Sequence, residues 1–496
     1  MIIDNDLLSI QQARILAENA VEAQKRLAGF AQDRLDAIVE GVADAVAPHL
    51  RDLAVMSQEE TDFGRWQDKL IKNRFVCEQV RARLRGMRCV GVIGGDRERG
   101  VMDIGVPVGV VAALCPATSP VSTTICTTLL AIKSGNAALF SPHPRASRSI
   151  GSALDVMIAA AHGHGLPEGC LGYLGTVTRS GTRELMRHAA TSLVMITGVP
   201  GMLAEARAAG KPLIYGGSGN GPVFIERTAD IDRAVRDVIV SKVFDNGIAA
   251  SAEQAVVVDA PVADLVRRAL REQGAYFMSD EESGRLGSLF VTHGRPNACL
   301  VGLPATVLGR RAGFDVPEGT RVLVAERSFV SESDPFSRER LAPVLTLYVE
   351  DDWRNACEKC IELLLHERCA HTLVVHSRDE EVVRQFALKK PVGRVLVNTP
   401  ATFGGMGLTT NLFPALTLGS GSAGQGITSD NVSPMNLVYV RKVGYGVREV
   451  RTSDGQLTCT DIQASEPGPS RAGSDALRQI LNEAIQVLNG PETTRR

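Results

Sequence analysis

From Asp6 to about Val46 apolar residues recur at helical spacing, through Leu8, Ala13, Leu16, Ala20 and Leu27 and then Leu35, Ile38 and Val42, with polar residues between them. This predicts amphipathic helices packed on a sheet, and a second helical region covers residues 53–84. Residues 99–106 read as a strand or hairpin arm leading to Pro107. Beyond Pro107 short apolar runs alternate with helical stretches, the pattern of a parallel sheet with crossover helices. Strands are predicted at 108–114, 137–141, 192–197 and 212–215, with helices at 122–132, 147–162, 181–188 and 201–209. This is a Rossmann-like pattern, although the usual Gly-x-Gly-x-x-Gly fingerprint does not follow its first strand.

A second alternating region runs from Asp245 to about Gly424, with strands predicted at 255–259, 321–324, 345–349, 372–376 and 394–398. Glycines 419, 421, 424 and 426 then give way to a strand at 436–440, an arm whose open edge calls for a second subunit. From Arg451 the chain turns polar and rich in Gly, Ser and Pro, a linker through Gly473. It ends in an amphipathic helix with Ser474 as N-cap, an apolar face from Leu477 to Leu488, and Gly490-Pro491 as the stop. That face either docks on the body of the same chain or targets another protein as a helix in a groove.

Composition narrows the class. A chain of 496 residues with 44% hydrophobic and 22% charged residues and a formal net charge of −2 is globular, with no basic excess to bind nucleic acid. The N-terminus lacks the basic start and apolar core of a signal peptide, and no apolar run approaches the ~18 residues of a membrane span, so a soluble cytoplasmic protein is expected. Ten scattered cysteines fit reduced thiols. The one tight pair, Cys357-x-x-Cys360, reads as ordinary helix residues, without the second pair a metal site needs, and no metal is expected.

Candidate chemistry centres on Phe244-Asp-Asn-Gly-Ile-Ala-Ala250-Ser-Ala-Glu-Gln254, where an Asn-Gly break and small side chains precede a buried strand. The stretch resembles the nucleophile loop of the coenzyme-A-dependent, acylating branch of the aldehyde dehydrogenase family. Further segments match that family in order: Pro107 to Pro116 with Thr118-Ser119-Pro120, Lys133 to Asn136, Ser141-Pro-His-Pro-Arg-Ala146, Thr197-Gly198-Val-Pro-Gly201, Gly216 to Pro222, Pro335 to Val344 around Glu339, and Thr428 to Pro434. Singly each is a loop of the kind glycine builds without any ligand. Together, in order, they cover residues from about 107 to 450.

The resemblance implies an α/β aldehyde dehydrogenase fold of two Rossmann-like domains plus a β oligomerisation arm. Residues 1–241 would hold the N-terminal helices and the NAD- and coenzyme-A-binding domain, with an oligomerisation hairpin near 87–107; 242–425 the catalytic domain; 426–450 the oligomerisation strand; 451–473 a linker; and 474–490 the amphipathic helix. It implies a cysteine that attacks a short aldehyde, hydride transfer to NAD, and a thioester taken up by coenzyme A. Cofactor contacts would fall on Pro116, Ser141, Pro142, His143, Thr197, Gly198, Gly217 and Glu339. Hydrolytic relatives carry a glutamate base where this chain has Gly216, and water needs that base more than a thiol does.

Two positions depart from the pattern. Ser119 stands at the family's oxyanion asparagine, and Ala250 stands at the catalytic cysteine. Losing a covalent nucleophile costs on the order of 10⁶ in turnover in serine hydrolases, so no turnover by the family route is expected. Ala250 is either an engineered replacement in an active enzyme or the mark of a natural non-catalytic, dinucleotide-binding cargo or scaffold subunit. Arg145 and Arg148 leave NAD against NADP open. The tail helix resembles encapsulation peptides of enzymes packaged in bacterial microcompartments, so a shell protein is an expected partner through 474–490, beside self-association as a homodimer or homotetramer.

Overall fold

The computed structural model describes residues 4–461, apart from 97, 293–294, 367–370 and 454–455. The expected helix at 474–490 and the linker from 462 lie outside the described residues. Of the predicted apolar stripe, helix Asn5–Leu27 buries Ala13, Ala20 and Leu27 against the first sheet and the helix beside it, leaving Leu8 and Leu16 half-buried, and helix Gln32–Val46 buries Leu35, Ile38 and Val42 against helices Pro120–Lys133 and Ser147–Gly163. Asp4 caps the first of them by accepting from the Asp6 and Leu7 N–H groups. Among the described residues no helix is long and apolar enough to cross a membrane.

The first sheet is parallel and five-stranded, in the order Leu171–Tyr173, Ala137–Ser141, Val110–Leu114, Thr191–Thr197, Leu213–Gly216. Val110–Leu114 and Ala137–Ser141 are buried along their whole length, which is why they read as unbroken apolar runs. The chain runs outward from Val110–Leu114 to one edge and then returns to its other side, so the sheet reverses direction between Val110–Leu114 and Thr191–Thr197. Ligands bind open α/β sheets at the carboxyl ends flanking such a reversal.

The second sheet is parallel and seven-stranded, in the order Ala275–Phe277, Val322–Glu326, Val344–Glu350, Ala255–Asp259, Pro222–Ile225, Thr372–His376, Arg394–Val397. Its two faces are covered by separate apolar clusters, one built on helices Ile231–Val243 and Ala263–Glu272, the other on Trp353–His366 and Glu380–Lys389. The expected domain boundary at 241/242 is corrected here. Pro222–Ile225 already pairs inside the second sheet, so the chain crosses over at 217–221. Four apolar residues followed by Glu-Arg-Thr carry too short a pattern to separate a strand from a loop.

Strands Gly91–Asp96, Val101–Pro107 and Val438–Gly444 form a three-stranded antiparallel sheet, joining the hairpin near 87–107 to the arm. The expected linker also begins later than residue 451, because Arg448–Ser453 and Gln456–Asp461 pair as an antiparallel hairpin. Alternation through Val450 and Leu457 is diluted there by charged and hydroxyl residues, which hides the strands from composition.

Candidate active site

The loop at Phe244–Gly247 turns through the left-handed region at three successive residues, Asp245 (φ +49°), Asn246 (+53°) and Gly247 (+78°). Asp and Asn are the side-chain-bearing residues that tolerate this region best, and Gly247 has no alternative, because a Cβ there would lie 2.6 Å from the Ala342 carbonyl. Asp245 is fully buried and anchors the turn. Its Oδ2 accepts from Lys72 Nζ at 2.5 Å and Lys69 Nζ at 3.1 Å, its Oδ1 from the Arg65 N–H at 2.6 Å, and its own N–H donates to Asp68. Burial alone would raise the Asp245 pKa, but the two ammonium groups hold it below the ordinary carboxylate value. Burial draws Lys69 down to about 8 against the pull of Asp245.

Lys72 also donates to Ser119 Oγ at 2.7 Å. An ammonium can only donate, so the Ser119 hydroxyl proton stays available for another acceptor. Ser119 is the N-cap residue of helix Pro120–Lys133 but makes no side-chain capping bond.

Two clefts open at the carboxyl ends of the first sheet. The larger, about 380 Å³, is lined by Thr118, Gly198, Gly217, Ala250 and Glu339 together with an apolar wall that includes Ile248, Phe290, Leu300 and Leu341. The smaller, about 220 Å³, is lined by Ser141, Pro142, His143, Thr178, Thr182 and Met202 among others. The loop after Thr191–Thr197 separates them, presenting Gly198 and Pro200 to one and Val199 and Gly201 to the other. Ser141 and Thr182 share a hydroxyl hydrogen bond of 2.8 Å, and burial lowers the His143 pKa.

Ala250 is thus brought together with Gly198, Gly217 and Glu339, and Ser141, Pro142 and His143 with one another. Pro116, Thr197 and Ser119 line neither cleft; Thr197 is buried in a hydrogen bond with Thr417 (2.7 Å), and Pro116 packs under Gly198. Glu339 Oε1 accepts from the Gly219 N–H at 2.8 Å, which ties it to the loop facing Ala250. Gly216 offers no space: a Cβ would meet Thr417 Cγ2 at 2.8 Å and the Leu418 backbone. Among the described residues Glu339 is the single carboxylate on the larger cleft.

Ala250 itself is half-buried, whereas Ser251 is buried and turned toward Gly405, away from the cleft. Of the described cysteines only Cys115 lines either cleft, and burial pushes its thiol up to about 12. Behind Ala250 lies His371, fully buried, with Nδ1 2.7 Å from Thr372 Oγ1. Burial, reinforced by Arg394, pulls His371 to about 3, so the ring stays neutral at physiological pH. A Cβ on Gly219 would collide with both His371 Nε2 (2.2 Å) and the Ala250 carbonyl (2.4 Å), so only glycine lets that loop pass.

Sequence reasoning missed the apolar wall, Thr178, Thr182 and the Lys69–Lys72–Asp245 cluster. Nothing in a lysine pair on helix Trp66–Phe75 signals that it ends beside a loop more than 170 positions away. Among the described residues no group of three or more His, Cys, Asp or Glu side chains is placed to hold a metal ion.

A model of the aldehyde dehydrogenase family matches residues 5–283. The bifunctional aldehyde-alcohol dehydrogenase AdhE of Escherichia coli K12 is 37% identical over 440 residues, 88% of this chain and 49% of its own. The chain therefore spans about half the length of the aldehyde-alcohol dehydrogenases it matches. The acetylating succinate-semialdehyde dehydrogenase of Clostridium kluyveri is 32% identical over 88% of this chain and 96% of its own. Among solved structures, a probable aldehyde dehydrogenase from Listeria monocytogenes superposes with a TM-score of 0.88 at 45% identity, covering 90% of this chain and 99% of its own. A propionaldehyde dehydrogenase from the fucose-utilisation microcompartment of Clostridium phytofermentans superposes at 0.77 with 26% identity, covering 88% and 97%. The Rhodopseudomonas palustris propionaldehyde dehydrogenase with bound propionyl-CoA superposes at 0.76 with 25% identity, covering 88% and 94%. With its paired parallel sheets, its antiparallel arm and a cleft lined by Ile248 and Ala250 just beyond the Phe244–Gly247 loop, the chain belongs to the aldehyde dehydrogenase family.

Proposed function

We propose that this chain carries the site of a coenzyme-A-acylating aldehyde dehydrogenase, assembled for NAD, coenzyme A and a short aldehyde but without its nucleophile. The observation that carries the reading is Ala250: it occupies the cleft beside Glu339 and Gly217, and no described cysteine reaches that cleft. The two adjoining clefts at the reversal of the first sheet fit an extended dinucleotide. Ser141, Pro142, His143 and Thr182 would hold its adenosine end, and Gly198, Gly217 and Glu339 its nicotinamide end. When bound, NAD supplies a hydride acceptor and coenzyme A a thiol that accepts an acyl group.

The chain's own groups orient and exclude. Ile248, Phe290, Leu300 and Leu341 give a short aldehyde an apolar wall. Thr118 lines the cleft with Ala250, and Ser119, whose hydroxyl accepts from Lys72, follows it at the start of helix Pro120–Lys133. Glu339 is held by Gly219, and position 216 carries no base, so among the described residues the cleft has no carboxylate besides Glu339 to activate water. That favours a thiol as the acyl acceptor.

Restoring the thiol tests this. Ala250→Cys, assayed with NAD, coenzyme A and a panel of short aldehydes, is expected to form acyl-coenzyme A at least about 10³-fold faster than the parent chain. Dinucleotide binding should be unchanged between the two. No acyl-coenzyme A from the Cys chain sinks the reading, and free acid as the product removes coenzyme A from it.

The second reading, a non-catalytic dinucleotide-binding cargo or scaffold subunit, is favoured by the same alanine if the parent binds dinucleotide and the Cys chain stays silent. Packaging in a microcompartment is supported by the apolar stripe of residues 474–490 and by the fold shared with the Clostridium phytofermentans protein. Deleting residues 470–496 is expected to abolish co-purification with shell protein; unchanged co-purification would remove that role.

A further inference from the structure

The Cys357-x-x-Cys360 pair has no part in the cleft, yet the fold brings an amine onto it. Lys390 follows helix Glu380–Lys389 and is 8% exposed, and Cys357, on helix Trp353–His366, is 1% exposed. Lys390 Nζ donates to the Cys357 carbonyl at 2.8 Å, stands 4.3 Å from the Phe386 ring centroid, and lies 2.6 Å from Cys357 Sγ. Among the described residues no carboxylate pairs with Lys390. An N–H···O contact spans about 2.7–3.2 Å, and the larger radius of sulfur puts an ordinary N–H···S contact farther out. Nitrogen and sulfur are therefore closer than a plain hydrogen bond requires, at a separation that one bridging oxygen can span.

From this juxtaposition we propose that Lys390 and Cys357 form an oxidative modification site, closing under hydrogen peroxide to a covalent N–O–S bridge. In the first step a peroxide O–O bond breaks, an S–O bond forms, and water leaves, giving the sulfenic acid of Cys357. In the second, another peroxide takes two electrons, the sulfenic oxygen bonds to Lys390 Nζ, and the O–H and one N–H proton leave in water. In sum a thiol, an amine and two peroxides give the bridge and three waters, and two dithiols reverse it to thiol, amine and one water. A neighbouring lysine is one of the settings in which a cysteine becomes reactive. Cys360 lacks that contact, and burial pushes its thiol up to about 12. The bridge would tie residues 357 and 390 across a segment that contains strand Thr372–His376 and His371, so it would brace the wall behind Ala250.

The full chain, treated with hydrogen peroxide, unfolded without reductant and digested, is expected to give a branched peptide joining Cys357 to Lys390. Its mass should exceed the two parent peptides by one oxygen less two hydrogens, about 14 units, and dithiothreitol should return both unmodified. Lysine methylation adds a similar mass but stays on a linear peptide and survives dithiothreitol. Lys390→Met and Cys357→Ser should each abolish the branched peptide. Recovery of Cys357 only as free thiol, as sulfinic acid on a linear peptide, or in a disulfide with Cys360 overturns the proposal, and this readout on the unaltered chain needs no variant to fold.

Discussion

Glu253 lies three residues beyond Ala250, fully buried, and burial pushes its carboxyl up to about 7. Oε1 accepts from the Ala401 N–H at 2.9 Å, while Oε2 has no hydrogen-bond partner among the described residues. In the folded state the proton is kept to about pH 7, and in the unfolded state only to about 4.5. Between those values the native chain binds the extra proton, so this residue's contribution to stability falls as pH rises and is fully lost above about 7. Glu253→Gln keeps the acceptor for Ala401 and removes the titration. Relative to the parent, the variant should gain on the order of 3 kcal/mol between pH 4.5 and 8, read from urea unfolding across that range. A difference that does not change with pH would mean that Glu253 is ionised at its buried site. At this scale the alanine at 250 was legible from the motif around it, whereas the neutral state of Glu253 was not, because a local Glu-Gln pair says nothing about whether water reaches it.

The Phe244–Gly247 turn and helix Trp66–Phe75 act as a pair of elements joined by charge. The left-handed residues of the turn cost about 1–3 kcal/mol each wherever they carry a side chain, and the buried Asp245 ion pairs offset that cost. Removing one partner of such a group leaves uncompensated buried charge. Asp245→Asn is therefore expected to destabilise the chain by about 3–5 kcal/mol in denaturant unfolding. A loss under about 1 kcal/mol would show that Lys69 and Lys72 find other partners or shed their protons. The turn itself was readable from Asp-Asn-Gly, since few residues accept that backbone. Its anchor was not: helical periodicity placed Lys69 and Lys72 on a helix but carried no information about which loop that helix would meet.

At the scale of the whole molecule the arm presents an open strand edge. Val438–Gly444 pairs with Val101–Pro107 on one side, and Tyr439 and Val440 remain 49% and 40% exposed. An edge strand with such residues is a pairing surface. The parent is expected to run as a dimer or larger species in light scattering, and Tyr439→Lys with Val440→Lys to run smaller; a monomeric parent would exclude that role for the arm. Several of the strands in the two parallel sheets were visible in advance, with Ala137–Ser141, Ala255–Asp259 and Thr372–His376 at their predicted bounds, because strands buried on both faces must be continuously apolar. The ordered loop motifs likewise carried the family and singled out the alanine at residue 250. The crossover at 217–221, the shared wall of the two clefts, the Lys72–Asp245–Ser119 chain and the Lys390–Cys357 contact were decided only by tertiary structure. Periodicity reports that a residue is buried, and it cannot name the distant residue that buries it.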